Sequence, residues 1–266
     1  MNSIAESIAS RIKICILQQS FWNSKRQHKT ESREENSRHG LDRDAEVYVR
    51  LTKHESLTKA AAVKGQIYAS HRKLTLPSPV DGMRIVPIGR EFEHAQIISD
   101  LRETFKYHVN SFLEDYDNVV MAAEKRLNGL FDSTMFPPKE LMKDKFCNNV
   151  TYMETPTNGS WTEFVEETAK LGQLELRDRI VGAARKLIEV CNSDGKLYSS
   201  VLENLGEICE MAGDFNLMED PIIAKAAKEL KPIAMDFPAE ILRENKALRR
   251  ETSARAQQIL SVLNLG

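Results

Sequence analysis

At 266 residues, with 41% hydrophobic and 29% charged side chains, the chain is long enough for one large or two modest domains and too apolar to be globally disordered. Its 37 basic and 39 acidic side chains leave a net charge of -2, so no whole-molecule field points to nucleic acid or to an anionic membrane. Four scattered cysteines, Cys15, Cys147, Cys191 and Cys209, form no CxxC pair and read as reduced, mostly buried apolar residues, with no metal or cofactor implied.

The segment Met1 to Gln19 carries Glu6 and Arg11 within a modest apolar pattern, which is neither a signal-peptide core nor a spanning stretch, so a cytoplasmic location is expected. The sequons at Asn149-Val-Thr151 and Asn158-Gly-Ser160 then have little weight. A short helix over IAESIASR precedes RIKICILQ, whose alternation of Ile12, Ile14 and Ile16 predicts a strand. The following stretch, 24 to 40, contains charges of both signs and no apolar residue, and reads as a mobile loop.

A helix is predicted from Leu41-Asp42 to Lys73, with Ala60, Ala61, Ala62 and Gly65 allowing close approach of another helix. The connector LTLPSPVDGMRIVPIG cannot continue a helix and reads as extended chain with a turn at Asp81-Gly82 and a strand from Met83 to Ile88. From Phe92 to Phe131, apolar residues recur every three or four positions without a proline, predicting one helix roughly 60 Å long. Such a helix needs a partner, so the two stripes are expected to close as a long antiparallel hairpin. Pro137 and Pro138 open a further short helix, and Asn149 to Glu154 is a third strand closed by Pro156.

Beyond Ser160, helices are predicted over 160 to 191, 196 to 212, 219 to 230 and 238 to 263, with breaks at Asp194-Gly195, Gly213-Asp214, Pro221, Pro232 and Pro238. The expected fold is mainly α (α+β): residues 1 to 156 form a long-hairpin domain with a small sheet of short strands, and residues 157 to 266 form a C-terminal helical bundle.

Candidate chemistry is sparse. None of the six histidines belongs to an HExxH motif, and His94 and His108 would stand about 21 Å apart along one helix. Glu91, Glu93 and His94 bring two carboxylates near an imidazole and define the best place for an enzyme with a dispersed site, although acidic residues in a first helical turn are favoured by the helix dipole alone. The acidic group Glu114, Asp115 and Asp117 reads as a solvated face. There is no GxSxG elbow, GxxxxGK[ST] loop or GxGxxG turn, and no catalytic residue is assigned.

Lys25, Arg26, Lys29, Arg33 and Arg38, beside Trp22, are the candidate nucleic-acid contacts, because a basic arm with one aromatic can track phosphates and stack on a base; Glu31, Glu34 and Glu35 dilute it. In the last helix, Ile241, Leu248, Ile259 and Val262 follow heptad spacing with Asn245, Thr252 and Arg255 in the seam, a candidate surface for self-association or a partner.

The order of landmarks in the first 156 residues resembles that of an uncharacterised family of phage and bacterial proteins encoded beside MoxR-type AAA ATPases. The matching features are Phe21-Trp22, Met83-Arg84-Ile85-Val86-Pro87, Phe112-Leu113 with Tyr116, Leu127-Asn-Gly-Leu-Phe131, and Phe136-Pro137-Pro138 leading to Phe146 and Tyr152 to Pro156. The resemblance implies a phage or mobile-element origin, a host-cytoplasmic location and a role as adaptor or partner of an ATPase ring, and it carries over no catalytic residue. The expectation is therefore a non-enzymatic interaction or assembly protein, with a nucleic-acid-binding protein or a dispersed-site enzyme as alternatives.

Overall fold

The computed structural model describes residues 4–156, 161–193, 196–236 and 238–265. The sequon at Asn158 and the break at Asp194-Gly195 lie outside the described residues. The fold is mainly helical with a small antiparallel sheet and a helical C-terminal region. Two compact units form, one from Met1–Ile16, Lys73–Phe92 and Tyr152–Gly266, the other from Leu17–Arg72 and Glu93–Thr151.

In the first of these, the bundle unit, helix α1 (Ile4–Ala9) leads into strand β1 (Ile12–Ser20), as the isoleucine alternation predicts. Ile12, Ile14 and Cys15 are all buried, so both faces of this end of the strand are covered. In the other, the hairpin unit, the stretch expected to be a mobile loop is instead ordered: β2 (Lys25–Gln27) is followed by α2 (Lys29–His39), and β2 pairs antiparallel with β3 (Tyr48–Arg50).

Polar side chains, not an apolar stripe, hold α2. The His28 ring caps its start by accepting from the Glu31 amide, the Ser32 hydroxyl accepts from the Val47 amide at 2.9 Å, and Asn36 exchanges bonds with both backbone groups of Ala45. Gly40 then ends the helix at φ +64°, a left-handed conformation that glycine adopts without steric cost.

Helix α3 (Glu55–Lys73) starts later than the expected 41, because residues 47 to 50 are drawn into the pairing with β2 and the Thr52 hydroxyl accepts from the His54 amide. The connector forms β4 (Leu76–Pro77) and β5 (Met83–Pro87), joined through Gly82 at φ +78°, where the turn is expected. The strands of the sheet lie in the order β4-β5-β1-β6, with Ile14 opposite Ile85 and Leu76 also opposite Ile85.

The single helix expected over 92 to 131 is two: α4 (Ile88–Glu114) and α5 (Tyr116–Leu127). Asp115 interrupts them with φ -91° and ψ 5°, its carboxylate accepting from the His54 ring at 3.2 Å and from the Asn118 amide at 2.7 Å. Aspartate competes with the helix for hydrogen bonds in this way, and these partners fix the break. Helix α5 stops at Asn128, which takes φ 48°, short of the expected Phe131.

Within the hairpin unit, α3 and α4 run antiparallel, as the pairs His71 with His94, Ser56 with Ser111 and His54 with Asp115 show along their length. Trp22 stacks on Phe112 at 5.8 Å and meets Phe136 at 6.3 Å to form the aromatic centre of this core. A short α6 (Lys139–Met142) enters from Pro138, and β6 (Cys147–Glu154) follows.

The C-terminal helices are α7 (Trp161–Asn192), α8 (Ser199–Phe215), α9 (Pro221–Met235), α10 (Ala239–Glu244) and α11 (Lys246–Leu265). Helix α7 packs against α1, α8 and α11, and α9 packs against α8 and α11. Asp220 caps α9 through the Ile222 amide at 2.7 Å, with Pro221 in the first turn as its position predicts. Pro232 does not end that helix. It lies inside the last turn, where its missing amide costs a single bond, and α9 continues to Met235.

The expected helix 238 to 263 is broken at Asn245, whose side chain accepts from the Leu248 amide and starts α11 anew. The units also divide the chain differently from a split at 156/157. Residues 73–92 join the bundle because β4 lies against α7, where Gly172 leaves room for Leu76, and because Arg84 pairs with Glu175.

Candidate docking groove

Each sequence-predicted site residue has a definite place. Lys25, Lys29, Arg33 and Arg38 are exposed on β2 and α2, but Arg38 pairs with Glu35 and Arg26 donates to the carbonyls of Asn23 and Lys25. Trp22 is only 2% exposed and packed among aromatic rings, so it offers no face to a base. The basic arm with a stacking aromatic is thereby corrected to an ordered helix of mixed charge.

Glu91 accepts from the Lys13 ammonium at 3.0 Å, and Lys13 also pairs with Glu154. His94 is fully buried and shares a hydrogen bond of 3.0 Å with His71, a partner that its spacing in the sequence does not reveal. Burial lowers the His94 pKa to about 4, so the ring is neutral near pH 7. Glu93 lies exposed on α4. Glu91 and His94 thus belong to separate structural pairings.

All four cysteines are free thiols. Burial pushes Cys15 and Cys209 up to about 12 and raises Cys191, which keeps these thiols protonated and unreactive. Among the described residues no group of three or more His, Cys, Asp and Glu side chains could hold a metal ion, and no helix is long and apolar enough to cross a membrane.

A second charged cluster ties the sheet to the bundle. Arg84 donates to Thr75 Oγ1 at 2.6 Å, and both Arg84 and Arg179 pair with Glu175. Arg179 also donates to the carbonyls of Lys73 and Thr75 and lies over the Phe215 ring. The guanidinium groups here satisfy backbone oxygens at a strand end, which is a structural task.

The predicted interaction stripe is split between α10 and α11. Ile241 and Val262 are exposed, Leu248 is half-buried and Ile259 is buried. The buried face of α11 carries Thr252, Ser253, Ala256, Leu260 and Leu263 along with Ile259, so the heptad spacing does not describe a single surface. Arg249 lies on this face too, capping the end of α7 through the carbonyls of Val190 and Ser193.

A groove of about 440 Å³ in the bundle unit is formed by α8, the end of α9 and the start of α10. Its floor includes Leu202, Gly206, Ala234 and Ala239, and Met235 is 62% exposed at its edge. Gly206 lies opposite Ala234, where an added Cβ would stand 3.6 Å from the alanine methyl, so two small residues keep the floor low.

Four carboxylates, Glu203, Glu207, Glu210 and Glu240, line the sides, and no basic side chain does so among the described residues. Glu207, Glu210 and Glu240 pair with Lys73, Lys231 and Arg243, which do not line the groove; such exposed pairs add little stability and can exchange with other partners. The segment from Ser199 to Glu210 thus presents an apolar line edged by acid, a helical pattern that could be read from its sequence once α8 is placed. The partner wall could not, because it comes from Ala234, Met235, Pro238, Ala239 and Glu240. The chain matches no protein-family model, no curated protein and no solved structure.

Proposed function

We propose that the protein is a non-enzymatic interaction or assembly protein that holds a partner chain in the groove of α8, α9 and α10. The observation that carries this reading is the groove's combination of a low apolar floor and charged edges, an arrangement suited to the side chains of a docked segment. The separate pairings of Glu91 with Lys13 and of His94 with His71 support it, since they give those groups structural tasks.

The resemblance to proteins encoded beside MoxR-type ATPases makes a phage or mobile-element adaptor the working picture and such an ATPase ring the first partner to try. Light scattering of the purified chain, alone and mixed with an ATPase encoded beside its gene, tests this. A species heavier than the 30.2 kDa chain is expected in the mixture or for the chain itself. A 30.2 kDa monomer that binds nothing would contradict the reading.

A further inference from the structure

The charged residues that line the groove are all carboxylates, three of them also paired with cations outside the lining. Along α8 the lining positions Ser199, Leu202, Glu203, Gly206, Glu207 and Glu210 follow helical spacing and form one stripe about 16 Å long. That is about three turns of helix, facing the wall made by Ala234, Met235 and the start of α10.

An acidic occupant would meet four carboxylates at close range, and a purely apolar one would leave them facing a desolvated surface. A segment with a line of leucine-like side chains and flanking lysines or arginines meets both requirements: its apolar line covers Leu202, Gly206 and Ala234, and its cations reach Glu203 and Glu240 on opposite sides. Gly206 and Ala234, small and close together, add no bulk to the floor between these edges. We infer that the groove takes a basic amphipathic helix of a partner protein. This rests on the docking reading above and adds the chemistry of the partner.

The probe is a fluorescent peptide of about 18 residues, with leucines at helical spacings of three and four and lysines elsewhere; its control replaces every lysine with glutamate. Both are titrated against the full-length chain and two variants. Gly206→Leu fills the floor, and Glu203→Gln with Glu240→Gln neutralises two exposed edges without touching the core. The lysine peptide is expected to bind at least about tenfold more tightly than the glutamate peptide, to lose about tenfold in the double variant, and to lose binding in Gly206→Leu.

Added salt should weaken the lysine peptide's binding to the native chain more than its binding to the double variant. Equal binding of both peptides, abolished by Gly206→Leu, would overturn the basic partner while leaving docking in the groove intact. Binding of the lysine peptide unchanged by both variants would overturn this assignment, and the light-scattering measurement would then judge the interaction reading by itself. Should Gly206→Leu not fold, the double variant alone decides: an unchanged affinity for the lysine peptide overturns the inference.

Discussion

Thr168 is fully buried on α7, and its hydroxyl has no hydrogen-bond partner among the described residues. A buried hydroxyl left in this state is unfavourable, so Thr168→Val, which keeps the shape and removes the polar atom, should stabilise the protein by about 1 kcal/mol and raise the melting temperature by about 2–4 °C. A lower melting temperature by calorimetry would show that the hydroxyl is satisfied. His94 offers a test with pH. The unfolded chain takes up the imidazole proton near pH 6.5, whereas the folded chain does so only near about 4. Between those values the unfolded state binds more protons, so His94's contribution, on the order of 3 kcal/mol, is complete above pH 6.5 and declines as the pH falls toward 4. Urea midpoints measured across this window should fall less steeply for His94→Gln than for the native chain; parallel profiles would contradict the buried, neutral ring.

At the level of elements, α2 shows where sequence pattern and structure part. Periodicity finds helices that bury apolar stripes, and it places α7, α8 and α9 well because their stripes are buried in the bundle. Helix α2 has only Ser32 buried and is held by hydrogen bonds to residues 45 and 47, a long-range network without an apolar signal. Asn36→Ala should therefore speed amide exchange over residues 29 to 47 by about tenfold or more while leaving the global melting temperature nearly unchanged, since the helix contributes little apolar burial. Unaltered exchange there would show that Asn36 does not hold the helix. The break at Asp115 was equally hidden, because the apolar spacing continues through it and only the side-chain partners His54 and Asn118 interrupt the helix. The alternating isoleucines of β1 and the turn at Gly82, by contrast, are local signals and were legible.

For the whole molecule, the helical hairpin and the C-terminal bundle could be read from the chain, but the grouping of residues into two units could not. That grouping depends on pairings such as Arg84 with Glu175, which join residues 91 positions apart in the sequence. The same holds for function: the basic residues near Trp22 attract attention in the sequence, yet the tryptophan is enclosed, while the groove arises only when α8 meets the end of α9. Hydrogen exchange of the full-length chain, with and without saturating lysine-leucine peptide, locates the docked segment on the molecule. Docking in the groove predicts slowed exchange concentrated in residues 199 to 210 and at Ala234, Met235, Ala239 and Glu240, absent with the glutamate peptide. Protection centred on any other segment, or none at residues 199 to 210, would contradict it.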